Sequence, residues 1–272
     1  MAALGAFLAA LGVADAFRDT NTVIVRPSRQ LAALAAGVVT LAALLTLGTP
    51  APWTVVGLGA LLAALLVVWT LFEILADTVG KVVARLGAFL AISGGITATL
   101  LFADDRTTSW PDWAPGPLTT FSPSQVILVI GIALAQVTTA NVLVRHILDA
   151  VNVPTKAGAD RLRSGRVLGP MERLFILGLG LAGNLTAAAV VVGAKGLLRF
   201  PELAASESSA RTTSPIILQS ATGGGSEETA GSTVAEPPHQ GPNPVTEYFL
   251  IGSFASWLIA LAGLGLAMLV LN

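Results

Sequence analysis

The chain has 272 residues, of which 54% are hydrophobic and only 11% are Asp, Glu, Lys or Arg. A soluble domain carries about 25% charged residues, so this chain cannot cover a water-soluble globule. With a mean hydropathy of +0.77 and apolar residues in long blocks, composition excludes a soluble enzyme, a disordered tail and a nucleic-acid-binding module, and leaves a polytopic helical membrane protein.

A net charge of −1 gives no reason to expect a nucleic-acid partner. The lack of cysteine removes disulfides, thiolate catalysis and Cys-ligated metals. His146 and His239 are far apart in sequence, which argues against a haem or His-rich metal site. No cofactor, metal or catalytic residue is assigned: there is no Walker A sequence, HExxH or GxSxG, and Gly178/Gly180/Gly183 lacks the strand that a dinucleotide fingerprint needs.

Met1 to Val13 is apolar but only about 20 Å long as a helix, too short to cross a bilayer alone. Ala14-Asp15-Ala16 has the small-x-small spacing of a cleavage site, yet no Lys or Arg precedes the apolar part. Residues 1–29 are therefore read as a short apolar helix, interfacial or packed into the bundle, followed by a basic segment. Residues 30–153 form a four-span region. No charge occurs between Arg29 and Glu73, and Gly48-Thr49-Pro50-Ala51-Pro52 divides that run into a hairpin with spans at 30–48 and 53–76. The third span is 82–103, with Ser93-Gly94-Gly95 at its centre. The fourth is 125–144, its helix continuing towards Asn152.

Residues 154–170 are a basic connector. The element at 171–199 would be about 43 Å long as one helix. One long tilted span is the preferred expectation. The alternative is a break at Gly183-Asn184 that makes a re-entrant hairpin, tolerated at depth only when buried in protein or facing water. Residues 200–244, rich in Ser, Thr, Gly, Pro and Glu, read as a disordered-type linker. Residues 245–272 hold the last span. The expected fold is all-α, a polytopic transmembrane helical bundle of about six spans.

Lys and Arg alternate along the chain. Three precede the first span (Arg18, Arg26, Arg29), none is in the first turn, and two follow (Lys81, Arg85). One is in the next loop (Arg106) and six are in the last connector (Arg145, Lys156, Arg161, Arg163, Arg166, Arg173). The positive-inside rule then places the N-terminus, 77–85 and 145–173 in the cytoplasm, with the chain in the inner (plasma) membrane.

Intramembrane polar residues are functional candidates. Thr138, Asn141, Arg145 and Asp149, at i, i+3, i+7 and i+11, form a polar stripe on one helix face. It would line a vestibule or make an inter-helix hydrogen-bonding seam. Glu73 reads as interfacial, reaching headgroups, Lys81 or Arg85. Asn184 would cap a broken helix or bond a neighbour. Lys195 and Arg199 would snorkel to an interface, and Glu247 would suit a helix N-terminus and pair with them.

The C-terminal half resembles an uncharacterised bacterial integral membrane protein family, a domain of unknown function. The resemblance rests on Ala140-Asn141-Val142-Leu143-Val144-Arg145, Gly169-Pro170-Met171-Glu172-Arg173, Gly183-Asn184, Gly193-Ala194-Lys195-Gly196, Arg199-Phe200 and Glu247-Tyr248-Phe249-Leu250-Ile251-Gly252-Ser253, with Ser256 beyond. It covers less than a third of the chain. The family's N-terminal motif is missing, and Gly196 stands where the family has Ser. The resemblance implies no activity. It suggests that Glu172, Arg173, Lys195, Arg199, Glu247 and Tyr248 act as a group, and with Asn184 these make the candidate polar cluster.

The leading expectation is a non-enzymatic membrane bundle with a charged cluster at helix ends. A secondary transporter or channel for a small solute or ion, and a lipid-binding or lipid-modifying protein, are the alternatives. The expected partners are membrane lipids and a second copy or another membrane protein.

Overall fold

The computed structural model describes residues 2–18, 27–46, 53–79, 81–102, 110, 116, 120–151, 165–194 and 244–271. Among them the elements are helical: α1 Ala2–Phe17, α2 Pro27–Thr46, α3 Trp53–Val79, α4 Lys81–Phe102, α5 Pro123–Val137, α6 Thr139–Ala150, α7 Gly165–Leu181, α8 Leu185–Ala194 and α9 Pro244–Leu271. Four helices are long and apolar enough to cross a membrane: Ser28–Thr46, Val56–Ile74, Val82–Phe102 and Leu250–Leu271. A fifth is reached if α5 and α6 count as one bent span. The difference from the expected six lies in the described residues 171–194, where one helix ends at Leu181 and a shorter one runs Leu185–Ala194.

Of the two places open to the N-terminal helix, α1 takes the packed one. Leu4 through Gly12, with Ala14 and Asp15, are buried. Small residues make this possible. A Cβ on Gly131 would lie 2.1 Å from the Gly5 carbonyl oxygen, and one on Gly12 would lie 2.9 Å from the Leu134 carbonyl carbon. The two backbones therefore touch, as small residues at membrane-helix contacts allow. Contacts advance together, Gly5 on Leu128 and Gly12 on Leu134, so α1 runs parallel to α5. Phe7 of α1 fills the place of a side chain at Gly95 of α4. Facing Phe72 and Leu65 of α3 are Gly87 and Gly94 of α4, which makes that pair antiparallel.

Helix α5 starts with a capping box. Ser122 Oγ accepts from Gln125 N, Gln125 Oε1 accepts from Ser122 N, and Pro123 occupies the first turn, where its missing N–H costs nothing. The fourth helix is bent by 42° at Thr138, between α5 and α6. Asn141 N turns to the Thr138 carbonyl at 3.0 Å. The Asn141 side-chain amide takes the vacated Val137 carbonyl at 2.8 Å. Thr138 Oγ1 sits 2.8 Å from Gly12 O and 2.9 Å from Leu134 O, with one proton for two carbonyls. Bonding back to the preceding turn bends helices, and these side chains satisfy the backbone groups that the bend frees.

α7 ends at Leu181. Gly183 has φ +77°, a left-handed conformation that glycine adopts without a Cβ penalty, and Asn184 N bonds to Leu179 O at 2.8 Å. α8 begins one residue later. Against α9, α7 contacts advance in the same direction, Arg173 on Ser256 and Gly180 on Leu264. α7 and α9 thus run parallel. The α5/α6 pair is antiparallel to α9: Leu148 lies by Gly252, and Gln136 by Ile259 and Gly263.

Large apolar side chains such as Leu90, Leu101 and Phe102 of α4 and Phe254, Leu258 and Leu269 of α9 point outwards. Buried among the helices, by contrast, are Asp15, Arg18, Gln136 and Arg173. An apolar exterior around an apolar core that also holds a few buried polar side chains is compatible with a hydrocarbon solvent.

Candidate functional site

Two polar clusters flank the Thr138 bend. The first is ionic. Asp15 and Arg18 lie one turn apart on α1, so both face the same neighbours. Trp69, Thr70 and Glu73 share a face of α3 by the same spacing. Asp15 Oδ1 accepts from Trp69 Nε1 at 3.1 Å and lies 3.3 Å from Arg18 NH1. Arg18 NH2 donates to Thr70 Oγ1 at 3.2 Å, and its NH1 is 3.8 Å from Glu73 Oε2. The other oxygen of Glu73 contacts His146 Nε2 of α6. Trp69 meets the His146 ring edge-on at 6.2 Å, and Phe89 of α4 packs on it at 6.4 Å. The Thr139 hydroxyl, just past the bend, faces the Asp15 carboxylate.

The burial is deep: Asp15 is 5% exposed and Arg18 is 7%. Such charges stay ionised only when paired and hydrogen-bonded. Pairing is incomplete here, since Asp15 Oδ2 and Arg18 Nε are buried without a hydrogen-bond partner of ordinary geometry. None of the described residues forms a group of three or more His, Asp or Glu side chains that could hold a metal ion.

The second cluster centres on Arg173 of α7, 2% exposed. Its Nε donates to Gln136 O at 2.7 Å, its NH1 to Ser256 Oγ at 2.8 Å, and its NH2 to Asn141 Oδ1. One guanidinium fork thus joins α5, α6, α7 and α9. All three acceptors are neutral oxygens. Gln136 Nε2 adds a bond to Ile259 O at 2.9 Å.

The residues expected from sequence are redistributed. Arg173 and Asn141, from two separate groups, come together. Thr138 holds the bend. Arg145 and Asp149 are half-buried further along α6, and Arg145 attracts Glu73 through space. Asn184 is exposed at the α7–α8 turn, where its amide lies 3.5 Å from Ala182 O, and it joins neither cluster. Glu172 is half-buried beside Arg173 and makes an interaction of its own. Lys195, Arg199 and the side chains of Glu247 and Tyr248 lie outside the described residues. Glu73 contacts Arg18 and His146, not the Lys81 or Arg85 expected from sequence.

Sequence reasoning missed Asp15, Arg18, Trp69, Thr70 and His146 as a group. One signal was present: an Asp and an Arg three apart, ending a helix too apolar to stay in water. Compared with models of known families, with curated proteins and with solved structures, the chain matches none.

Proposed function

We propose that this is a multi-pass protein of a bacterial inner (plasma) membrane that performs no covalent chemistry and carries a small ionic solute. One observation supports this reading: a bent apolar helix pair places buried ionisable side chains from α1, α3 and α6 just beyond its bend. Charges in a membrane are costly and are retained where ions or substrates pass. Interrupted helices are the usual frame of such sites.

The charge alternation favours 18–29, 77–85 and 145–173 as cytoplasmic. Because α1 runs parallel to α5, Ala2 would lie near the level of Pro123, towards the outer leaflet. The cytoplasmic assignment then belongs to residues 18–29. The parallel course of α7 and α9 favours the re-entrant reading of 171–199 over one long span. α9 can start on the side where α7 starts only if the chain returns between them, and α8 is the helix available for that return. Lys195, Arg199 and the 200–244 segment would then be cytoplasmic. Membrane lipids, and a second copy or another membrane protein, are the partners in this reading.

A second reading, a closed lipid-binding or structural bundle, is favoured by Arg173, which spends its hydrogen bonds on the protein itself.

The test is transient current from the full chain in liposomes adsorbed on a solid support. Jumps of alkali cations, amino acids and organic acids are applied in turn. At least one class is expected to drive a current that Glu73→Gln reduces at least tenfold. Folded protein that is silent to all three classes sinks the carrier reading and leaves the structural one.

A further inference from the structure

We propose that Asp15, Arg18, Glu73 and His146 form a proton-binding site whose occupancy sets the angle of α6 at the Thr138 bend. It deepens the carrier reading by naming the coupling ion, and rests on that reading only for what the proton drives.

The first support is a charge count. Arginine stays protonated in proteins, so Arg18 with the two carboxylates it touches, Asp15 and Glu73, totals −1 when both are ionised and His146 is neutral. One added proton brings the buried set to zero. A low-dielectric site favours that balance, and His146 is the residue type built to accept and release a proton near neutrality.

The second support is the choice of donors. A bound metal cation would meet Arg18 NH1, which already lies 3.3 Å from one carboxylate and 3.8 Å from the other. A proton needs no such room.

The surroundings carry charges of both signs, and Arg145 attracts Glu73. On α1 the facing groups are Asp15 and Arg18, and on α3 Glu73. α4 presents Phe89, with Arg85 one turn before it. α6 adds Arg145, half-buried, and Asp149. α2 carries Arg29, α5 has no ionisable residue, and α9 carries Glu247 and Tyr248. Arg173 on α7 is committed to the second cluster.

The third support is leverage. His146 lies eight residues past Thr138, about 12 Å along α6. Its contact with Glu73 ties α6 to α3, while Thr138 at the pivot is held by α1 through Gly12 O. A proton entering from water adds to the imidazole and makes an imidazolium–carboxylate pair, the stronger, charge-assisted form of the contact. When that proton returns to water, the tie weakens and α6 swings about the bend.

The experiment uses the full chain in nanodiscs of phosphatidylethanolamine and phosphatidylglycerol. The protein is labelled with 15N-histidine and carries His239→Gln, so His146 gives the one imidazole signal. A reversible protonation step is expected between about pH 5 and about pH 8. It should move about 1–3 pH units lower in Glu73→Gln, with Glu73→Asp closer to the native position. Spin labels at Val82→Cys and Ala150→Cys should move apart as pH rises through the same step and stay fixed in His146→Gln. A His146 signal that does not titrate overturns the proposal without needing any folded variant. So does a distance that follows pH equally well in His146→Gln. Solute currents with a silent His146 remove this inference and keep the carrier. A titrating His146 without any current does the reverse.

Discussion

Arg173 shows what a single buried side chain contributes. Its planar fork reaches a backbone carbonyl on α5, an amide on α6 and a hydroxyl on α9 at once. A lysine ammonium is a point charge and cannot match that fork. Arg173→Ala should therefore lose about 3 kcal/mol, on the scale of hydrogen bonds to charged groups whose acceptors are left buried. Arg173→Lys should recover only part of that. Unfolding of the full chain in mixed micelles by increasing dodecyl sulfate reads the difference, and a lysine variant as stable as the native protein would refute the fork argument. The sequence marked Arg173 and Asn141 as polar residues in helices. It did not join them, because they lie 32 residues apart and meet only when α7 folds back along the bent pair. For Glu73 the sequence pointed to local cations, Lys81 and Arg85. Its observed partners, Arg18 and His146, are far from it along the chain.

At the scale of elements, glycine placement decides which helices approach closely. Gly131 and Gly178 look alike in sequence, each in an apolar helix. In the structure a Cβ at Gly131 would enter the Gly5 backbone at 2.1 Å, while one at Gly178 meets nothing within 4 Å. Gly131→Ala is expected to cost about 1–3 kcal/mol by forcing α1 and α5 apart. Gly178→Ala should be neutral or gain up to about 1 kcal/mol from helix propensity. Thermal unfolding of both variants in the same detergent checks this, and equal melting temperatures would contradict the crossing described above. Thr138→Val keeps the shape and removes the hydroxyl that touches both Gly12 O and Leu134 O. About 1 kcal/mol should be lost, and spin labels on either side of the bend should report a straighter α5/α6 pair. The bend was not legible beforehand. Thr138 and Asn141 read as a polar stripe, and nothing local says whether a threonine bonds its own helix or another.

At the scale of the whole molecule, the arrangement predicts a labelling pattern. The chain has no native cysteine, so single cysteines report cleanly. Phe121→Cys and Ala150→Cys, at the two ends of the bent pair, should react with an impermeant maleimide from opposite sides, outside and inside. Reaction from one side would make the pair re-entrant and leave four spans. Ser220→Cys should label only from the cytoplasm if α8 returns the chain, whereas outside labelling would restore one long span through 171–199. The sequence by itself determined the helical content and the position of the long apolar helices, because helix length and charge-free runs are local quantities. It also marked 171–199 as ambiguous, since length and Gly183-Asn184 argued in opposite directions. Only the tertiary structure decided that α1 is a core helix, that the fourth helix bends, and that α7 and α9 run parallel. It alone gathered Asp15, Arg18, Glu73 and His146. These depend on backbone contact between small residues and on pairs of charges distant in the chain, and neither leaves a periodic trace in a single sequence.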